Sequence, residues 1–193
     1  VIGRWRSCAG LALILTGATA QAQPITADRP GVGSDPDVVP PFTLQPEIGT
    51  DTREVRLGLL PGVEVDRDDD SWGAKLALVD HTSFKLSVKG TIDDSGQGGF
   101  ELPASLVVNS LFYVTTDVIW TRAAQTYAAE FNLTPTPRLT ISPTFYVDTR
   151  PRGAVFAAWV PRGHDNLQFD IGYDRRRLSV GISTAFDLTR LRH

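Results

Sequence analysis

At 193 residues the chain is the size of one ordinary domain. Its composition, 41% hydrophobic and 21% charged with 17 Gly and 13 Pro, is too apolar for a disordered chain and too lightly charged for a polyelectrolyte. A formal charge of −3 without a basic stripe excludes nucleic acid as a partner. The lone cysteine, Cys8, excludes an intrachain disulfide and a cysteine-built metal site, and His81, His164 and His193 stand too far apart for ligand spacing. No cofactor and no metal is expected.

Residues 1–22 have three parts: basic Arg4 and Arg6, an apolar stretch from Leu11 to Leu15, and a small-residue run from Ala18 to Ala22. That is the layout of a secretory signal peptide cleaved after Ala20 or Ala22. The apolar stretch is also shorter than the roughly 20 residues a spanning helix needs. The opening Val-Ile-Gly-Arg, in a chain with no Met, fits a bacterial alternative start codon. Cys8 precedes the apolar stretch and so is not placed as a lipid acceptor, and cleavage would take Arg4 and Arg6 with it, bringing the net charge near −5. Export in a Gram-negative bacterium then leads either to the periplasm or to an outer-membrane barrel, the structure other than a helix that satisfies its backbone in lipid.

Residues 23–41 carry Pro24, Pro30, Pro36, Pro40 and Pro41 among Asp28, Asp35 and Asp37. Proline at this density forbids helix and disfavours central strand, so the segment reads as an extended lead-in, in or beneath a lumen if there is one.

From residue 42 the sequence alternates with period two and never holds a helical period for three turns. Strands are predicted at 42–49, 53–59, 62–67, 71–80, 83–92, 99–109, 111–121, 125–133, 138–148, 153–160, 165–174 and 177–188, an even dozen. The breaks between them carry turn chemistry, as in Leu60-Pro61-Gly62, Asp66 to Asp70, Asp93-Asp94-Ser95-Gly96, Thr134-Pro135-Thr136-Pro137 and Arg150-Pro151-Arg152-Gly153. Most segments approach the 9–11 residues of a tilted transmembrane strand. The expected architecture is all-β: an antiparallel transmembrane barrel of the outer-membrane type over 42–188, with a short tail at 189–193.

Alternation alone leaves open which face is inside: a soluble barrel or sandwich buries its apolar face, whereas a membrane barrel turns it to lipid. Aromatic positions bear on the choice. With the N-terminus at the inner side, Trp72, Phe100, Trp120, Tyr127 and Tyr173 fall near the outer strand ends of the apolar face, and Phe42, Phe84, Phe112, Phe131, Trp159 and Phe186 near its inner ends. Two belts on one face are what a lipid-facing surface with two interfaces requires. The same phase turns Glu47, Arg56, Glu64, Lys75, Lys85, Lys89, Glu101, Asp117, Glu130, Arg138 and Asp170 to the other face, the lumen of such a barrel, where they become the candidate permeation residues. In a soluble protein the same set would be an ordinary solvated face.

Ile25-Thr26-Ala27-Asp28-Arg29-Pro30, with Val39-Pro40-Pro41, Gln45, Glu47 and Gly49, resembles the opening of the outer-membrane family of transporters of the MetA pathway of phenol degradation, whose members begin with a TDRP run. The stretch from Val55 to Val65 is similar to that family's next hairpin, and Lys75 in a Gly-x-Lys strand follows its pattern. Ala27 stands where the family has Thr, Phe42 where it has Gly, and Pro46 interrupts the first strand. The resemblance implies passive uptake of small, aromatic or hydrophobic molecules. The final strand, Ser179-x-Gly181-x-x-Thr184-x-Phe186, is similar to the signal by which barrel-insertion machinery recognises its substrates.

Other motifs point elsewhere only weakly. Asp66-x-Asp68-x-Asp70 imitates a calcium loop, but Ser71 and Ala77 occupy the positions of its turning Gly and bidentate Glu. No Gly-x-Ser-x-Gly elbow occurs, and His81 beside Ser83 sits in a short turn, so no enzymatic activity and no catalytic residue is expected. The sequence reading is a monomeric outer-membrane channel embedded in outer-membrane lipid. The alternative is a soluble periplasmic β-barrel or sandwich binding protein.

Overall fold

The computed structural model describes residues 27–28, 32–50 and 52–189. The strands are β1 (Thr43–Gly49), β2 (Arg53–Leu60), β3 (Val63–Arg67), β4 (Ser71–His81), β5 (Phe84–Asp93), β6 (Gly98–Glu101) and β7 (Ala104–Asn109). They continue with β8 (Phe112–Thr121), β9 (Gln125–Thr136), β10 (Leu139–Val147), β11 (Pro151–Trp159), β12 (Leu167–Asp174), β13 (Arg177–Thr184) and β14 (Phe186–Asp187). Strands pair antiparallel in sequence order, except that β6 and β7 both lie between β5 and β8, and β1 closes the circle by pairing with β13 and β14. Because β6 and β7 are two halves of one pass, as are β13 and β14, the result is a closed barrel of twelve passes.

Both breaks accommodate proline. Pro103, which has no N–H to give, stands between β6 and β7 while its carbonyl accepts the Ser87 N–H at 3.0 Å. Pro46 lies in β1 beside the break at Ala185, in register with Thr184, between the Thr43–Leu44 pairing with β14 and the Glu47–Gly49 pairing with β13. The register, with the Thr50 N–H on the Val180 carbonyl and the Leu188 N–H on the Phe42 carbonyl, turns the Pro46 nitrogen toward Thr184, so one ladder bond is given up at the break. Phe42, just ahead of β1, is left-handed, with φ of 58°, a conformation that glycine adopts more readily.

The four register shifts among the described pairings, at Gly58/Leu60, Ala77/Val79, Val107/Asn109 and Leu139/Ile141, all fall at the inner end. Bulges there tighten the twist and bend the strands at the rim. Several predicted connectors are shorter in the structure: β3 runs on through Asp66 and Arg67, β9 runs on through Thr136 so that Pro137 and Arg138 make the turn, and β11 begins early. The turn after β10 is Asp148 to Arg150, and Pro151 already pairs with Val147 as the first residue of β11, a strand position that proline tolerates.

The polarity of the wall is inverted relative to a soluble protein. Trp72, Phe145, Val155, Trp159, Tyr173 and Leu178 are each at least half exposed on the outer surface. Inside, Glu47, Arg56 and Glu64 are completely buried and Lys75 nearly so. The predicted belts occupy the outer surface, with Trp72, Tyr127 and Tyr173 toward one rim and Phe42, Phe84 and Trp159 toward the other. Ring pairs knit neighbouring strands: Phe100 with Trp120 at 5.3 Å, Phe131 edge-on to Phe145 at 6.1 Å, and Trp159 stacked on Phe169 at 5.8 Å. A soluble barrel or sandwich would need these apolar groups inside, so the soluble alternative is not favoured.

Candidate functional site

The lumen holds the lead-in. Ala27, Asp28 and residues 32–41 run through the barrel and are tied to both walls. On the β1–β5 side, Asp28 is the hub of an ion cluster. Its carboxylate lies 3.3 Å from Arg56 Nη2, 3.0 Å from Lys75 Nζ through both oxygens, and 4.0 Å from Lys89 Nζ. Each cation is also held by the wall. Arg56 forks onto Glu64 with two bonds of 2.9 Å and reaches Glu47 at 3.2 Å. Lys89 meets Glu54 and Asp66, each at 3.2 Å. The planar guanidinium suits this place because it serves Glu47, Glu64 and Asp28 at once while donating to the Asp37 carbonyl at 3.1 Å.

Backbone groups of the lead-in complete the attachment. The Val39 N–H donates to Glu64 at 2.7 Å, and Lys75 Nζ donates to the Asp35 carbonyl at 3.0 Å. The lead-in crosses the wall at Gly58, where a Cβ would collide with the carbonyl oxygens of Val39 and Pro40. On the far wall, Val32 N–H donates to Glu130 at 3.0 Å, Ser34 N–H to Asp117 at 3.0 Å, and Ser34 Oγ–H to Glu101 at 2.7 Å. Lys85 pairs with Asp37 near the inner mouth.

Between the lead-in and the β8–β12 wall a cavity of about 90 Å³ remains, lined by Tyr113, Thr115, Asp117, Glu130, Ser142 and Gln168 among others. Toward the outer end, Tyr146, Phe156, Ala128 and Ala154 pack inward against Val32. Above them the Tyr146 hydroxyl donates to Asp174 at 2.8 Å and accepts from Arg175 Nε at 3.0 Å, while Arg175 and Arg152 each meet Asp148 at 3.1 Å. Asp148 also accepts the backbone N–H groups of Thr149 and Arg150. Those turn amides first, and the arginines after them, hold its carboxyl below the usual carboxylate range.

Most predicted site residues therefore share one interior, but not one task. Glu47, Arg56, Glu64, Lys75 and Lys89 form the cluster around Asp28; Glu101, Asp117 and Glu130 receive the lead-in from the other side. Asp170 is buried on β12. Lys85 and Arg138 lie at the inner end, Arg138 bonding the Pro161 carbonyl at 2.6 Å and Asp165 at 3.0 Å.

Glu54, Asp66, Tyr146 and Asp28 were missed as site residues. Glu54 shares the phase of Arg56, and Asp66 that of Glu64, so period two alone could have placed both. Asp66 belongs to β3 and faces Lys89, apart from the acidic turn with which its sequence groups it. Tyr146 shares the phase of Ser142 and Thr144. Asp28 has no periodicity to place it. The calls on residues 1–22 lie outside the described residues.

Comparison with known proteins places the fold. No family model and no curated relative matches the chain, so the MetA-pathway resemblance is not confirmed. Among solved structures, the chain is similar to the KdgM porin, with a TM-score of 0.51 at 12% identity, covering 75% of this chain and 96% of that one. The KdgM porin in complex with disordered oligogalacturonate matches with a TM-score of 0.50, also at 12% identity and the same coverage. The fold is that of an outer-membrane porin-type barrel.

Proposed function

We propose that the protein is an outer-membrane channel for passive passage of small solutes, with the lead-in acting as a strap that narrows its lumen. The observation that carries the reading is the inverted polarity of a closed barrel: apolar and belted with aromatics outside, charged and buried inside. Such a wall satisfies its own backbone groups and turns its apolar face outward, as a barrel in lipid must. Residues 1–22 would direct export, and the strand ending at Phe186 would be read by the insertion machinery.

The strap sets what the lumen admits. With it docked, the cavity beside the β8–β12 wall is the remaining room, and hydroxyl, amide and carboxyl groups dominate its lining. That chemistry suits small hydrogen-bonding solutes. Tyr113, Tyr146 and Phe156 are the inward aromatics of this wall, and Tyr146 and Phe156 are packed among Ala128, Ala154 and Val32, which gives an aromatic or hydrophobic solute little support. An acidic saccharide such as the oligogalacturonate of the neighbouring porin would face Asp117 and Glu130.

The test is purification of the membrane fraction, gel mobility with and without boiling, and then conductance in planar bilayers. A heat-dependent shift with discrete conductance steps supports the channel. A soluble periplasmic protein with no shift would refute the membrane reading, and a heat-modifiable barrel with no conductance and no solute flux would leave a structural barrel in its place.

A further inference from the structure

The outer rim is divided by charge. Asp68, Asp69, Asp70, Asp93 and Asp94 sit around the two neighbouring turns β3–β4 and β5–β6, whereas Arg122, Arg150, Arg175 and Arg176 occupy the turns β8–β9, β10–β11 and β12–β13. In the basic arc, a cleft of about 460 Å³ opens between two turns, lined by Arg150, Pro151, Arg152, Gly153, Asp174 and the arginine pair 175–176.

Two of its four cations are compensated and two are not. Arg152 and Arg175 are matched by Asp148, and Arg175 also by Asp174. Arg150 and Arg176 make no ion pair with a described residue, so the cleft holds two uncommitted guanidinium groups. The turn that presents one of them is strained: Arg175 and Arg176 are both left-handed, at φ of 49° and 66°, a conformation that two-residue hairpin turns normally assign to Asn or Gly. The Asp148 carboxylate braces the opposite turn by taking the Arg150 N–H at 3.2 Å.

The cleft continues onto the lipid-facing side. Gly153 pairs with Phe145 on the outward phase, and a Cβ there would meet nothing closer than 3.8 Å. Around it Phe145, Val147, Val155 and Tyr173 are all strongly exposed, so an apolar slot floored by a glycine runs down from the arginines.

We propose that this cleft binds a phosphate-bearing glycolipid of the outer leaflet, Arg150 and Arg176 taking the phosphate and the slot over Gly153 taking an acyl chain. The inference rests on the outer-membrane reading above. Guanidinium pairs match phosphate oxygens in bidentate geometry, and a headgroup at this height would sit directly above the aromatic belt. A freely diffusing phosphate would use the arginines but would have no use for the slot; the lipid uses both.

The experiment is native mass spectrometry of the purified barrel in detergent, titrated with bisphosphorylated lipid A, dephosphorylated lipid A and inorganic phosphate, after the heat-shift test has shown a folded barrel. The expected result is at least tenfold tighter retention of the bisphosphorylated lipid than of the dephosphorylated one. Arg150→Gln with Arg176→Gln should abolish that preference, and Gly153→Leu should weaken lipid binding tenfold while leaving the heat shift intact. Equal retention of the two lipids, or an unchanged preference in the double arginine variant, would overturn the proposal while the channel reading stands. Displacement of the lipid by millimolar inorganic phosphate, with Gly153→Leu neutral, would overturn it in favour of a free-phosphate site. Absence of a heat shift in the wild type would remove the membrane reading itself, and the lipid site with it.

Discussion

Replacing Asp28 by Ala tests the strap at its strongest attachment. The carboxylate is 3.0 Å from Lys75, 3.3 Å from Arg56 and 4.0 Å from Lys89, and it also accepts the Asp35 N–H at 3.1 Å. Removing one partner of a buried ion cluster costs about 3–5 kcal/mol. The low end applies here, because Glu47, Glu54, Glu64 and Asp66 stay on the wall to hold the three cations. About 3 kcal/mol is roughly a 150-fold shift of the strap toward release, by the tenfold change that each 1.4 kcal/mol brings. The barrel itself keeps its ladder and should remain heat-modifiable. Single-channel recordings in planar bilayers should show a larger conductance or a much greater open fraction, and Asp28→Glu should restore part of the closure. If Asp28→Ala and Asp28→Asn both leave conductance and gating noise at wild-type values in a folded barrel, the ion cluster does not retain the strap.

Further outcomes follow from other positions. Gly58→Val places a side chain where Val39 and Pro40 cross the wall, and should displace the strap and raise conductance without touching a charge; an unchanged channel would refute the crossing. Ile171 is mid-strand on the outer face of β12, and Ile171→Arg should destabilise the barrel in vesicles by about 2–4 kcal/mol in denaturant titrations, a cost absent if that face met water. Lys85→Glu reverses a charge at the inner mouth beside Asp37 and Asp80, and should move the reversal potential toward cation preference; identical potentials would remove Lys85 from the ion path. Lys89 is a poor choice for the same test, since reversing it would bury a third carboxylate against Glu54 and Asp66.

The wall of the barrel was written in period two, because each side chain there answers to one of two environments. That is why the pass count and the inward placement of residues such as Lys75 and Asp117 could be read from alternation. Position within the lumen was less legible. Arg138 has the right phase, yet it serves a loop at the inner end, because phase says nothing of height along the axis. The lead-in was recognisable as extended and proline-rich, but its course depends on contacts across large separations, such as Val32 with Glu130 and Ser34 with Asp117. No local pattern encodes those contacts. Nor does any pattern in Arg175-Arg176 announce a left-handed turn, where Asn-Gly would have done so.

The seam between the first and last strands carries a consequence for the order of assembly. Pairing of Thr43 with Asp187 and of Glu47 with Ser183 joins the first and last strands, so the wall cannot become a circle until β13 and β14 are in place. Until then the wall is an open sheet, and the segment just ahead of β1 can lie across its polar face and gather Arg56, Lys75 and Lys89 around Asp28. Closing then wraps the sheet about a rod that is already in place, as metal is rolled on a mandrel. A wall that closed empty would have to admit the rod through its mouth, past Lys85 and its neighbours. On the channel reading, the lead-in would then serve as a template for closing the wall as well as an occupant of its lumen.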